Sequence, residues 1–83
     1  MTEEKPWSEL TDDERLARHI RLAEEAYTEM YDSLNPTACY SNAKESYYDA
    51  ISLARKLGLS DRVAGLEERL AHVKNVFRSQ FSY

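Results

Sequence analysis

The chain contains few residues that break or cross-link a polypeptide: one cysteine, two glycines and two prolines among 83 residues. A lone cysteine, Cys39, excludes an internal disulfide framework and is typical of a reducing compartment, so we predict a cytoplasmic protein. Two glycines cannot form a glycine-rich phosphate loop. With so few turn residues, the composition favours a helical fold over a loop-rich or all-β one.

Long hydrophobic runs are also absent. No stretch approaches the roughly twenty apolar residues of a membrane span. The first seven residues are polar and acidic, unlike a secretory signal, so no membrane association is predicted. The net charge of −4 is uneven, because residues 1–14 hold six acids and one lysine while residues 55–83 hold six bases and three acids. These ends could attract each other or a partner, or be solvated helix faces.

Apolar residues recur at steps of three and four in three separate stretches, which keeps each set on one side of a helix. The sets are Leu16, Ile20, Ala23, Tyr27, Met30 and Leu34; Tyr40, Ala43, Tyr47, Ala50, Ala54 and Leu57; and Val63, Leu66, Leu70, Val73 and Phe77. They predict helices over about 12–34, 39–57 and 61–79. Short connections make neighbouring helices antiparallel, so the predicted fold is an all-α, up-down-up three-helix bundle.

Helix boundaries carry recognisable signals. Thr11 and Glu14 match a capping box, and Pro36 cannot continue the first helix. The second helix is predicted to begin at a Thr37 or Ser41 cap and to end at Gly58, in the left-handed conformation. Its stripe is rich in alanine, which lets other helices approach closely, so this helix is predicted to be central. The third helix is predicted to begin at Ser60.

These elements define one domain. Residues 1–10 are predicted to be a loosely ordered acidic segment, residues 11–80 a single three-helix domain, and residues 81–83 a frayed tail. A core of this size offsets chain entropy only narrowly, so dimerisation would be a natural supplement.

Residues that could carry chemistry are scattered. His19 and His72 lie on different predicted helices. Neither has a cysteine or a series of carboxylates near it at the spacing typical of metal ligands, and nothing in the spacing pairs Cys39 with a histidine. We therefore predict no catalytic residues, no metal site and no cofactor. Adjacent glutamates are predicted to form local solvated pairs: Glu24 or Glu25 with Arg21 or Arg18, and Glu67 or Glu68 with Lys74 or Arg69.

Aromatic residues offer a clearer signal. Six tyrosines occur in the chain, and Tyr31 and Tyr48 fall on the flanks of their stripes, where they seal the core or meet a partner. Phe81 continues the line of Phe77 beyond the predicted end of the third helix. Tyr31, Tyr48, Phe77 and Phe81 are therefore the predicted partner-binding residues, because aromatic side chains provide contact area at little entropic cost.

Part of the sequence resembles a known repeat. Ala43, Tyr47, Ala50 and Ile51 have the small–aromatic–small spacing of the second helix of a tetratricopeptide repeat, and a helix led by Ser60 follows. The resemblance covers about residues 41–65. It implies a helical hairpin and carries over no binding residues.

Together these features predict a small, non-catalytic module that docks a partner helix or peptide. Two alternatives remain open. The first is a homodimer in which the third helices complete a larger bundle. The second is a nucleic-acid-associated protein, which the acidic net charge and the interleaved acids of the third helix disfavour.

Overall fold

The computed structural model describes residues 5–81, and these residues form an all-α three-helix bundle. A short 3-10 turn, Trp7–Glu9, precedes the first helix. The three helices are α1 (Asp12–Met30), α2 (Pro36–Lys56) and α3 (Ser60–Val76), and a π-helical turn, Phe77–Phe81, extends α3. Of the predicted N-terminal segment, residues 1–4 lie outside the described residues, as do residues 82–83 of the predicted tail.

The start of α1 is the predicted capping box. The Glu14 amide donates to the Thr11 hydroxyl at 3.2 Å, and the Thr11 amide donates to the Glu14 carboxylate at 3.1 Å. These reciprocal bonds hold the pKa of Glu14 below its ordinary value. The predicted helix end was wrong, because α1 stops at Met30 instead of residue 34.

The connection between α1 and α2 explains that difference. Asn35 caps α2, since its side chain accepts a hydrogen bond from the Ala38 amide at 3.2 Å, and Pro36 occupies the first helical position. Proline is favoured there because the missing amide would have no partner and its φ is already helical. The predicted caps, Thr37 and Ser41, were therefore wrong, and α2 begins three residues before the predicted residue 39.

The turn between α2 and α3 is a Schellman motif. Gly58 has a φ of 73°, its amide donates to the Arg55 carbonyl at 3.0 Å, and the Leu59 amide donates to the Ala54 carbonyl at 2.9 Å. This confirms the predicted left-handed glycine. At its other end, α3 stops at Val76 instead of residue 79, and the chain continues as the π-helical turn.

Contacts between side chains establish the up-down-up order. Arg55 pairs with Glu67 at 3.5 Å and Lys74 donates to Tyr48 at 2.8 Å, so α2 and α3 are antiparallel. As predicted, α2 packs against both other helices. The Cα atoms extend 41 × 34 × 15 Å, so the three helices form a flat layer.

The core follows the stripes, with one clear exception. Ala43, Tyr47, Ala50 and Ala54 are fully buried on α2, which confirms that the alanine-rich helix is the closely packed centre. Leu34, predicted to end the first stripe, is instead completely exposed in the α1–α2 connection. The prediction failed because the stripe was extended past the point where the capped Asn35–Pro36 pair requires the chain to leave the helix.

Candidate functional site

Aromatic rings from all three helices meet at the end of the bundle where α1 stops and α2 starts. Phe77 stacks on Tyr40 with ring centroids 4.0 Å apart and an angle of 3° between the planes. Phe81 lies 6.2 Å from Phe77 and meets Tyr31 edge-on at 5.4 Å. We call these four residues, Tyr31, Tyr40, Phe77 and Phe81, the aromatic end.

The aromatic end contains three of the four predicted partner-binding residues. Tyr31 is 49% exposed, and Phe77 and Phe81 are half-buried. The π-helical turn is what brings Phe81 back toward Tyr31, and the Ser79 hydroxyl supports it by donating to the Asn75 carbonyl at 2.9 Å. The predicted residues thus converge from two distant parts of the chain on one accessible surface.

Leu34 is a further exposed apolar residue near this end. It lies three residues after Tyr31 in the α1–α2 connection, and its side chain is fully exposed. Sequence reasoning assigned it to the core and so missed it as a surface residue. The Asn35–Pro36 capping signal, read as a helix start, would have placed Leu34 in the loop.

The fourth predicted residue, Tyr48, lies apart in a groove between α2 and α3. It is 48% exposed, and Lys74 both donates to its hydroxyl at 2.8 Å and lies 5.3 Å from its ring centroid. This hydrogen bond from an ammonium group lowers the pKa of Tyr48 below its ordinary value of 10.0. Ile51, Leu70 and Ala71 line the same groove, which has a volume of about 250 Å³.

A half-exposed polar cluster that joins all three helices was not foreseen. Arg69 donates two hydrogen bonds to Glu24, at 2.8 and 2.9 Å, and the hydroxyl of the buried Tyr47 donates to the same carboxylate. The arginine holds the pKa of Glu24 below 4.5, while burial and the carboxylate raise the pKa of Tyr47. The predicted local pair of Glu25 with Arg21 is present at 3.7 Å, whereas Glu67, predicted to pair with Lys74 or Arg69, pairs with Arg55 at 3.5 Å.

Tyr27 links that cluster to the aromatic end. Its hydroxyl lies 3.0 Å from the Tyr31 hydroxyl and 3.3 Å from His72 Nε2, and Arg69 lies 5.0 Å from its ring centroid. The hydrogen bond to Tyr31 raises the pKa of Tyr27. Tyr27 thereby holds Tyr31, one residue of the aromatic end, through a hydrogen bond.

The residues considered for chemistry lie in different places. The His19 ring lies 4.8 Å from the Trp7 ring at a tilt of 35°, His72 contacts Tyr27, and Cys39 is half-buried in the first turns of α2. Within residues 5–81, no three His, Cys, Asp or Glu side chains are grouped so that they could hold a metal ion. None of the helices in that range has the length and apolar character needed to cross a bilayer.

Comparison with known proteins adds no relative. No protein-family model matches the chain, and no match was found among curated proteins or solved structures.

Proposed function

We propose that this protein is a non-catalytic interaction module that docks a helix or peptide of a partner protein on the aromatic end. One observation carries the proposal: Tyr31, Phe77 and Phe81 converge into one ring cluster that is left half-exposed. Aromatic residues dominate binding energy at protein interfaces because they bury large areas with few rotatable bonds.

The cluster also has the rigidity that a docking surface needs. Tyr40 is stacked on Phe77, and the Tyr31 hydroxyl is held by Tyr27. Side chains that are already ordered lose little conformational entropy on binding. Leu34, fully exposed three residues after Tyr31 in the α1–α2 connection, adds an apolar group that gains from being covered.

We also propose a cytoplasmic location, supported by the lone Cys39. The tetratricopeptide-like character of residues 41–65 stays a prediction. It is compatible with a docking role, because the hairpin of α2 and α3 leaves a groove open between its two helices.

The test combines capture of a partner with a matched set of variants. A protein captured from the source organism is identified, purified and titrated against the wild-type chain, against Tyr31→Ala and Phe81→Ala, and against Leu22→Ala. Leu22 is the control, because it is 38% exposed on α1 and lines a different groove with Glu25 and Asn42.

We expect each aromatic substitution to weaken the complex at least tenfold and Leu22→Ala to change it less than twofold. Equal effects of all three substitutions would contradict docking on the aromatic end. Sedimentation at micromolar concentration tests the alternative that the partner is a second copy of this chain. In that case the purified chain alone sediments as a dimer, and Tyr31→Ala converts it to a monomer.

A further inference from the structure

The α2–α3 groove carries an excess of positive charge, although the chain as a whole is acidic. Arg55 and Lys74 line the groove from opposite helices, and Glu67 is the acidic residue among its lining residues. Lys44 stands one turn before Tyr48 on α2 and is close enough to lower the pKa of that tyrosine. Arg55 and Glu67 pair with each other at 3.5 Å, so Lys74 in the groove and Lys44 beside it supply the excess positive charge, in a chain with a net charge of −4.

This groove is continuous with the aromatic end. The Lys44 ammonium lies 4.9 Å from the centroid of the Tyr40 ring, and Tyr40 stacks on Phe77. On α3, Lys74 stands one turn before Phe77 and contacts Tyr48. Cationic and aromatic side chains therefore alternate along one surface from Arg55 to Phe81.

The dimensions of the surface suit a helix. From Tyr40 to Arg55 on α2 the surface runs for fifteen residues, which is about 22 Å at the helical rise of about 1.5 Å per residue. Ile51 and Leu70 form a floor that is already buried, while Tyr48 and Ala71 remain exposed to a ligand. A partner helix of about four turns would cover this length.

We infer that the partner segment is an acidic amphipathic helix whose apolar residues meet the aromatic end and whose carboxylates face Lys44 and Lys74. This inference rests on the proposed function and adds the chemistry of the partner. A nucleic acid fits less well, because Glu67 lies in the groove and the acidic chain repels a polyanion as a whole. Charge complementarity of this kind sets partner choice and association rate.

The experiment uses two designed probes. The acidic probe is a fluorescein-labelled, helix-forming peptide of about sixteen residues with Leu and Phe on one face and Glu on the other, and the basic probe has Lys in place of every Glu. Fluorescence anisotropy measures the affinity of both. The variants are Lys44→Gln/Lys74→Gln and, as a control with the same change in net charge, Lys56→Gln/Arg62→Gln. Circular dichroism verifies that each variant keeps its helices.

We expect the acidic probe to bind at least tenfold more tightly than the basic probe. The groove variant, Lys44→Gln/Lys74→Gln, should bind the acidic probe at least fivefold more weakly than wild type. The affinity of the control variant should stay within twofold of wild type. Equal affinity for the two probes, no effect of the groove variant, or no binding of the acidic probe would overturn the inference. A single-stranded RNA of similar length that binds more tightly than the acidic probe would also overturn it.

The proposed function is distinguished by a third variant. Tyr31→Ala/Phe81→Ala should lower the affinity of the chain for both probes, because it removes apolar contacts that do not depend on charge. If it does so while the two probes bind equally, docking on the aromatic end stands and the acidic partner is wrong. If it changes neither probe while the groove variant does, the groove binds without the aromatic end.

Discussion

Arg69 on α3 donates a pair of hydrogen bonds to Glu24 on α1, at 2.8 and 2.9 Å, directly above the buried Tyr47 of α2. The bond from Tyr47 to the same carboxylate joins all three helices at one point. Tyr27 of α1 also lies 3.3 Å from His72 Nε2 of α3, so polar contacts connect the two outer helices at two places. Tyr31, directly after α1, contacts Phe81, beyond α3, so the aromatic end also depends on how these two helices are placed.

Neutralising this carboxylate should lower stability modestly. We expect Glu24→Gln to reduce the free energy of unfolding by about 1 kcal/mol, because the pair is well aligned but both side chains are 40% exposed and screened by water. Urea denaturation measures the loss. In a double-mutant cycle with Arg69→Gln, the two losses should not add. Full additivity would show that the pair contributes nothing to the fold.

The same carboxylate predicts a dependence on pH. The pKa of Glu24 in the folded chain lies below its ordinary value of 4.5, so the unfolded chain binds protons first as the pH falls. Its contribution is therefore present above about pH 4.5 and is lost as the pH drops through the folded pKa. Denaturation midpoints between about pH 7 and about pH 3 should fall less steeply for Glu24→Gln than for wild type. Glu14, whose pKa is also lowered, leaves a residual slope. Parallel profiles for the two proteins would contradict the assignment.

The two glycines should respond oppositely to alanine. Gly65 lies inside α3 with nothing within 4 Å of where a Cβ would stand, so Gly65→Ala should stabilise the chain by about 0.5–1 kcal/mol. Gly58 also has open space, but its φ of +73° strains any other residue, so Gly58→Ala should cost about 1 kcal/mol. Thermal unfolding of the two variants measures both stability changes. A loss of stability in Gly65→Ala would show that α3 needs the glycine for another reason.

The two adjacent tyrosines of α2 should differ sharply in how much each contributes to stability. Tyr47 is fully buried, so Tyr47→Ala should cost about 3–5 kcal/mol and unfold much of the population. Tyr48 is 48% exposed, so Tyr48→Ala should cost under about 1 kcal/mol. Circular dichroism melting curves compare them. A cooperative melt of Tyr47→Ala near the wild-type temperature would contradict the core described above.

Local sequence signals predicted most of the fold. The capping box at Thr11, the left-handed Gly58 and the alanine-rich stripe of α2 act over a few residues, and each was confirmed. The end of α1 was missed because Pro36 was interpreted only as a helix terminator, although proline also favours the first turn of a new helix. For the same reason Leu34, predicted in the core, lies on the surface.

The site was harder to predict because it depends on distant residues. Tyr31 could be selected from the flank of its stripe, and Phe77 and Phe81 from the end of the third stripe and its continuation. Their meeting depends on a π-helical turn for which the spacing gave no signal. Glu24 has Arg21 one turn before it on α1, yet it accepts two hydrogen bonds from Arg69, which is 45 residues further along the chain. Helical spacing shows which side chains are neighbours on the same helix, and it contains no information about a partner on another helix.

Docking on the aromatic end is tested most directly by photo-cross-linking from single positions. A benzoylphenylalanine replaces Tyr31 in one protein and Leu22, an exposed residue of α1 that lines a different groove, in a second. With the purified partner present, the account predicts a discrete adduct from position 31 that disappears when Phe81→Ala is added, and none from position 22. Adducts of equal yield from both positions, or an adduct from position 22 alone, would contradict it.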